Sequence, residues 1–127
     1  LRNAKAAQRD WGVRKGEPIG VAVTVRGNDA TELLKRLLVS KGNKISSRSF
    51  DMSGNFSFSI KEHIDISGVK YDPKIGIHGL GIAVKLTRPG FNISVRSKHK
   101  SAIGRNHKIT SEEAKKFVSK EFGISVS

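Results

Sequence analysis

Histidines are the residues of this 127-residue sequence best suited to metal binding or acid–base catalysis, because the sequence contains no cysteine. The four share no i, i+4 spacing and no HExxH context: His63, His78, His99 and His107. A metal centre needs several ligands at defined spacings, so the sequence predicts neither a metal site nor a cofactor. The absence of cysteine also excludes disulfide scaffolds and thiol nucleophiles. We interpret the histidines as isolated residues, at the surface or facing a ligand.

Catalytic motifs are equally hard to find elsewhere in the chain. Glu62 and Asp65 could act as a paired acid and base, but solvated charges beside a strand are the favoured interpretation. The glycines at 76, 79 and 81 lack the GK[ST] of a phosphate loop, so they indicate tight packing or close backbone approach. The serines lie outside any GxSxG motif. The sequence therefore predicts a protein that is not an enzyme.

Charge is the feature that points to a partner. The chain carries 24 Lys and Arg against 11 Asp and Glu, a net charge of +13. Between Pro73 and Ser111 there is no acidic residue. Eight cations lie in that stretch: Lys74, Lys85, Arg88, Arg96, Lys98, Lys100, Arg105 and Lys108. Such an asymmetry favours binding of a polyanion, with nucleic acid as the first hypothesis and a generically basic protein as the alternative.

A strand over Val21–Arg26 is predicted by strict alternation of apolar and polar residues. Its valines would face the core, and Thr24 and Arg26 would project together from the other face, about 7 Å apart. A hydroxyl and a guanidinium at this spacing can contact neighbouring phosphates or 2′-hydroxyl groups of RNA. An ordinary exposed polar face is the alternative interpretation.

Two helices are predicted from capping boxes that precede apolar periodicity. Asp29 and Glu32 begin a helix from about Ala30 to Ser40. Thr110 and Glu113 begin a second helix, which ends at Gly123. The residues expected on its apolar face are Ala114, Phe117, Val118 and Phe122.

Two hairpins complete the predicted elements. Residues 45–50 and 56–60 flank a turn over 51–55, and residues 82–86 and 91–95 flank Arg88-Pro89-Gly90. The aperiodic segment Ser97–Lys108 is interpreted as an exposed loop. These elements predict an α+β fold, mainly antiparallel sheet with helices packed on one face, in a single RNA-binding domain over residues 1–127.

A lone tryptophan lies between cations ahead of the predicted strand. Trp11 is bracketed by Gly12, Gly16 and Pro18, a composition typical of an exposed loop. The indole could stack on a nucleotide, or it could pack beneath its own loop. Nothing in the sequence anchors this segment, so we expect it to be mobile in the free protein.

Three long runs carry a resemblance to a known family. They are RDWGVRKGEPIGVAVTVRG (Arg9–Gly27), SFDMSGNFSFSIKEHIDISGVKYDP (Ser49–Pro73) and TSEEAKKFVSKEFG (Thr110–Gly123). In this order they closely resemble the "L five" family of large-subunit ribosomal proteins, which bind 5S rRNA. The basic segment after Arg88-Pro89-Gly90 is similar to that of archaeal and eukaryotic members. Members of the family also have a strand and a helix before the segment matched by Leu1, so the resemblance implies that this N-terminal part is absent here.

The resemblance implies a structural protein of the cytoplasmic ribosome. Its expected partners are 5S rRNA, large-subunit rRNA, neighbouring ribosomal proteins of the central protuberance, and P-site tRNA. By position in the VTVRG motif, Thr24 and Arg26 match family residues that contact 5S rRNA. The segment that matches the tRNA-contacting loop consists of Trp11, Gly12, Val13, Arg14, Lys15 and Gly16. Because they are cations in the stretch without acidic residues, four further residues are expected to bind rRNA: Arg96, Lys98, Lys100 and Arg105.

Two other functional classes stay open at this point. A basic, ribonuclease-like RNA-processing enzyme would use His63 or His78 with a carboxylate. A cationic protein of the membrane surface is disfavoured, because both predicted helices begin with acidic turns. Separately, no apolar run reaches the roughly 18–20 residues that span a bilayer.

Overall fold

Two helices and six short strands make up the computed structural model, which describes residues 1–126. They are β1 (Arg2–Asn3), β2 (Pro18–Gly20), α1 (Asn28–Ser40), β3 (Lys44–Ile45), β4 (Phe56–Ile60), β5 (Leu80–Val84), α2 (Ser111–Phe122) and β6 (Ser125–Val126). The α+β fold class is thereby confirmed. The chain divides into a first unit, Leu1–Thr31, and a second unit that begins at Glu32. That the chain acts as a single RNA-binding domain stays a prediction.

The first unit is built around a backbone-bonded hairpin. β1 and β2 pair antiparallel, with Arg2 opposite Gly20. Next to this ladder, the amide of Ala4 donates to the carbonyl of Glu17 at 2.8 Å, and the amide of Gly16 donates to the carbonyl of Ala4 at 2.9 Å. The expectation that nothing anchors Trp11–Gly16 is therefore wrong, while its mobility in the free protein stays a prediction.

The predicted strand over Val21–Arg26 is not formed. Within the described residues 1–126, positions 21–26 lie outside every strand, and the expected core residues Val23 and Val25 are 79% and 40% exposed. Alternation marks a sequence that can form a strand, but a strand also needs a neighbour for its amides and a surface for its apolar face. Alternation in the sequence shows neither the neighbouring strand nor the packing surface, so it could not predict that the strand would fail to form.

The second unit has its core between the two helices and one face of the β4–β5 pair. Leu38 of α1 and Val118 of α2 are almost completely buried and belong to one cluster with Phe56 of β4. β4 and β5 pair antiparallel, from Phe56 opposite Val84 to Ile60 opposite Leu80. The expectation that the helices pack on one face of an antiparallel sheet is confirmed for this pair.

Helix α2 follows its sequence closely. The hydroxyl of Thr110 accepts from the amide of Glu113 at 3.4 Å, and the Glu113 carboxylate accepts from the amide of Thr110 at 3.2 Å. Gly123 ends the helix in the left-handed region, with φ 62°. The predicted apolar face is too wide, however, because Phe117 is 49% exposed beside the buried stripe of Ala114 and Val118. Ala114 and Val118 lie about one helical turn apart, and their burial is enough to pack α2 against its sheet.

Helix α1 begins earlier than predicted. It begins at Asn28, directly after Gly27 with φ 75°, rather than at Ala30. Asp29 consequently lies inside the first turn instead of capping it. An acidic side chain still stabilises the helix there, because it faces the positive end of the dipole.

The first predicted hairpin is reduced to its turn. β3 pairs with β6 in a parallel ladder, and an isolated bridge between Phe50 and Phe56 is the pairing left to the predicted hairpin in the described chain. The turn itself is confirmed: the Asp51 carboxylate accepts from the amides of Ser53 and Asn55 at 2.9 and 2.7 Å. The side-chain amide of Asn55 also donates to Asp51 and is the largest cause of the lowered pKa of that carboxyl.

The second predicted hairpin is wrong in its second half. β5 is present, but it pairs with β4, and residues Phe91–Ser94 form a 3₁₀ turn instead of a strand. The turn follows Gly90, whose φ of 93° suits glycine, and it is supported by the Ser94 hydroxyl, which donates to the carbonyl of Phe91 at 2.7 Å. A short alternation cannot distinguish a strand from such a turn.

Candidate nucleic-acid interface

The hairpin of the first unit ends in a tip, residues 9–16, that presents the tryptophan. Gln8 and Val13 exchange two backbone hydrogen bonds at 2.9 and 3.1 Å, which closes the base of the tip. A 3₁₀ turn over Arg9–Trp11 follows, and Gly12 ends it with φ 67°. Trp11 is 82% exposed, so the alternative in which the indole packs beneath its own loop is wrong. An exposed indole on a backbone-bonded mount is able to stack on a base.

The turn that carries Arg14 and Lys15 is held in part by the carboxylate of Glu17. The amide of Arg14 donates to the Glu17 side chain at 2.8 Å, and the Glu17 amide donates back to the Arg14 carbonyl at 3.2 Å. The side chains of Arg14 and Lys15 remain exposed. Neither bond uses the side chain of Arg14 or Lys15, so both cationic side chains are left for a ligand.

Thr24 and Arg26 are exposed as expected, but they do not share a strand face. Both lie in the irregular segment that precedes α1. Their common direction, which the sequence prediction took from strand geometry, therefore has no support from local structure. Their role as rRNA contacts stays a prediction.

The basic segment forms an exposed and internally bonded loop. We define the basic loop as residues 89–107; all four predicted rRNA-binding cations lie in it and are exposed, namely Arg96, Lys98, Lys100 and Arg105. The guanidinium of Arg96 donates through Nε to the carbonyl of His99 at 2.8 Å, and His99 has φ 51°. The amide of Ser101 then donates to the carbonyl of Ile93 at 3.1 Å. Lys98 and Lys100 consequently flank a tight turn.

The expected exposure of Ser97–Lys108 is confirmed, with two additions. A short 3₁₀ turn covers Arg105–His107, and Ile103 is half-buried. The chain then enters the core at Ile109, which is buried. The segment is a shaped loop rather than an unstructured arm.

An ion pair joins the strand side of the basic loop to α2. Arg88 donates to Glu113 with Nη2 3.0 Å from Oε2, and both side chains are substantially exposed. The pKa of Glu113 is lowered, first by the backbone amide of Thr110 and then by the hydrogen bond from Arg88. Because the pair is exposed, solvent screens it, and its main effect is to fix geometry.

His63 and His78 lie at the two ends of a loop and are joined by hydrogen bonds. The amide of His63 donates to the carbonyl of His78 at 3.0 Å, and the amide of His78 donates to Nδ1 of His63 at 3.2 Å. Residues 1–126 contain no group of three or more His, Asp or Glu side chains that could hold a metal ion.

The close backbone approach predicted for the glycines is confirmed at Gly79, where a Cβ would lie 3.2 Å from the carbonyl oxygen of Lys61.

Sequence reasoning missed a groove on the second unit. Its volume is about 640 Å³, and its lining consists of Lys41, Lys44, Ile45, Ser46, Ser49, Ser57, Phe58, Ser59, Gly81, Ile82 and Ala83. The lining offers lysines and hydroxyls but neither a carboxylate nor an imidazole, so this described groove can attract an anion but lacks a general acid–base pair. No local signal predicts it, since the lining comes from separate segments.

Comparison with known proteins decides the family. Residues 18–125 match the family model that describes the C-terminus of the ribosomal L5 proteins. The chain belongs to the ribosomal L5 family. The resemblance inferred from the sequence runs is thereby confirmed.

Close relatives are archaeal large ribosomal subunit proteins uL5. The protein of Nitrosopumilus maritimus strain SCM1 is 67% identical over 126 residues, which is 99% of this chain and 73% of the relative. That of Cenarchaeum symbiosum strain A is 59% identical over 98% of this chain and 74% of the relative. That of Pyrobaculum aerophilum is 46% identical over 98% of this chain and 70% of the relative.

Family membership settles the broad function. The protein is a structural component of the large subunit of the cytoplasmic ribosome, its partners are rRNA and ribosomal proteins, and it is not an enzyme. The ribonuclease-like alternative is therefore wrong. Among the described residues, no helix has the length and apolar character needed to span a membrane.

Proposed function

We propose that the protein, as a single RNA-binding domain, binds 5S rRNA and large-subunit rRNA in the central protuberance and contacts P-site tRNA through its tip. The observation that carries the rRNA assignment is the basic loop, which exposes four cations in a stretch of sequence without any acidic residue. Such a loop cannot neutralise itself, so phosphate groups are its natural counterions.

The proposed mechanism is binding without bond making or breaking. Arg96, Lys98, Lys100 and Arg105 neutralise phosphates, which supplies affinity that is independent of base sequence. Thr24 and Arg26 add contacts of a different kind, because a hydroxyl can recognise a 2′-hydroxyl group and a guanidinium can bind a phosphate with two hydrogen bonds. Together these contacts fix the register of the protein on its RNA.

The tip suits a partner that changes from one cycle of translation to the next. Trp11 can stack on any base, since every base has a π face, and Arg14 and Lys15 can contact any phosphate. A tRNA-contacting surface must accept all tRNA sequences. The 82% exposure of Trp11 on a closed hairpin supports this role, because the indole needs no rearrangement before it meets a ligand.

A gel-shift titration over a range of salt concentrations tests the rRNA assignment. The wild-type protein should bind a 5S rRNA transcript more tightly than an unrelated RNA of equal length. Replacing the four loop cations with alanine should make the slope of log K against log salt less negative by about 3, at roughly 0.7–0.9 per phosphate contact.

A matched control removes four positive charges from exposed helix positions: Lys35, Arg36, Lys116 and Lys120. This variant loses the same net charge, but it should retain most of the salt slope. Equal slopes for both quadruple variants would show that net charge, and not the basic loop, governs binding, and the loop assignment would then fail.

A further inference from the structure

His107 closes the basic loop with its side chain. The ring Nε2 lies 2.9 Å from the carbonyl oxygen of Pro89, 18 residues earlier in the chain. A carbonyl oxygen only accepts hydrogen bonds, so Nε2 carries the hydrogen and donates it. The ring can do so whether it is neutral or protonated. This bond therefore joins the first and last residues of the loop without requiring a charge on His107.

The same ring is supported by an aromatic contact. The ring of Phe91 lies 5.5 Å from that of His107, centroid to centroid, with an interplanar angle of 67°, the edge-to-face arrangement that aromatic rings prefer. Phe91 in turn packs against the main core cluster of the second unit. His107 is thus connected through Phe91 to the core, and it holds the end of the loop against a fixed point.

The closed segment contains every cation assigned to rRNA in the second unit. The hydrogen bonds from Arg96 to His99 and from Ser101 to Ile93 shape the interior of the loop, but neither joins its two ends. On the strand side, Arg88 is tied to Glu113, and beyond His107 the chain is buried at Ile109. The closing bond is therefore a direct side-chain contact between the two ends of the loop, next to the points where the chain is fixed to the core.

We propose that His107 is a positioning residue for RNA binding: it presets the basic loop so that its cations are arranged before RNA arrives. This inference rests on the proposed function, because it assumes that the loop binds rRNA. An open loop would have to lose conformational freedom on binding, and that cost would be subtracted from the affinity. The ring itself need not contact RNA, since its donor is used by Pro89.

The test compares three substitutions of His107 by measuring the dissociation constant for a 5S rRNA transcript. His107→Phe keeps an aromatic ring beside Phe91 but removes the donor, and His107→Ala removes both contacts. Both should bind about three- to tenfold more weakly than wild type. His107→Gln carries an amide donor and should recover most of the affinity. The salt slope should stay that of wild type in all three, because the number of neutralised phosphates does not change.

The matched control is His99→Asn, which removes a histidine of the same loop and suits the left-handed backbone at φ 51°. It should bind within about twofold of wild type, since its ring plays no part in the closing bond. Thermal melting of each variant verifies that the second unit is folded. Hydrogen exchange should show faster exchange of the Ser101 amide in the Phe and Ala variants, and not in the Gln variant.

Two results separate this inference from the function on which it rests. If the quadruple alanine variant of the loop cations binds as wild type does, the proposed rRNA role of the basic loop fails. If that variant binds weakly while His107→Phe binds as tightly as wild type, the rRNA role stands and the positioning role of His107 is overturned. Failure of glutamine to recover affinity would likewise overturn it.

Discussion

The tip and the basic loop are both exposed and cationic, yet they are held in different ways. In the tip, backbone groups make the closing bonds, as between Gln8 and Val13. In the basic loop, the side chain of His107 makes the closing bond, and the side chain of Arg96 holds the turn inside the loop. Side chains of the tip can therefore change without loss of its shape. In the basic loop, the conformation depends on two side chains, and one of them, Arg96, is also a cation that could meet RNA.

This difference separates two ways of presenting charge to a polyanion. A loop closed by its backbone keeps one shape while its ligand varies, which suits contact with many tRNAs. A loop closed by side chains has a shape that depends on its own amino-acid sequence, which suits one permanent partner. Substitutions that perturb one region and leave the other intact test this contrast.

The largest effect is expected where the second unit packs around the end of the basic loop. Gly54 has φ 75°, and a Cβ there would lie 2.6 Å from Cγ2 of Ile109 and 3.0 Å from Cβ of Ala114. Gly54→Ala should lower the free energy of unfolding by about 2–4 kcal/mol, combining left-handed strain with overpacking. Chemical denaturation measures this change.

Gly12→Ala in the tip is the matched control. Gly12 also has a positive φ, 67°, but within the described chain an added Cβ would meet nothing closer than 4 Å. Strain alone should then cost about 1 kcal/mol. Equal losses for the two variants would show that backbone strain, and not crowding beside Ile109, dominates at Gly54.

A second effect concerns Arg26, a proposed rRNA contact of the first unit outside the tip. Arg26→Ala should weaken binding of 5S rRNA by about 1–3 kcal/mol and leave the melting temperature unchanged, because the side chain is exposed. Val25→Ala is the control, and at 40% exposure it should change stability by about 0.5 kcal/mol and leave RNA binding alone. A large loss of stability for Val25→Ala would restore the core position that the sequence predicted for this valine.

Local signals account for what the sequence predicted correctly. The capping box of Thr110 and Glu113 and the stop at Gly123 act within one helical turn, so α2 could be placed closely. The turn at Asp51 is also local, because its carboxylate meets amides two and four residues away. Exposure of Ser97–Lys108 followed from its positive charge and its lack of periodicity.

Non-local partners account for what the sequence could not predict. Val21–Arg26 alternates as a strand does, but a strand depends on a neighbour that can lie far away in sequence. Ile45, expected at the start of the first hairpin, pairs instead with Val126 of β6 about 80 residues later, and Ser47–Ser49 form a 3₁₀ turn. In the candidate site, the bond between Pro89 and His107 spans 18 residues and has no motif that predicts it.

A smaller effect should follow from pH at the base of the basic loop. The pKa of Glu113 lies below its ordinary value of 4.5, because the Thr110 amide and Arg88 favour the charged form. A lowered pKa gives stability that is present above pH 4.5 and is lost as pH falls through the folded-state value. The difference in melting temperature between wild type and Glu113→Gln should therefore shrink as pH falls from 7 to 3. A difference that grows toward acid would contradict this cause.

The smallest effect on rRNA binding is expected at the tip. Arg14→Ala combined with Lys15→Ala removes two exposed cations. The hydrogen bonds between residue 14 and Glu17 can persist, because they use only backbone atoms of residue 14. If the tip serves tRNA and the basic loop serves rRNA, the double variant should bind 5S rRNA within about 0.5 kcal/mol of wild type. In reconstituted ribosomes the same variant should retain P-site tRNA less well, as measured by the rate of tRNA dissociation. Trp11→Ala sharpens the contrast, since it removes stacking without changing charge and should also speed dissociation of tRNA. Loss of 5S rRNA binding in the double variant would assign the tip to the rRNA interface, and the separate roles of the two loops would then be wrong.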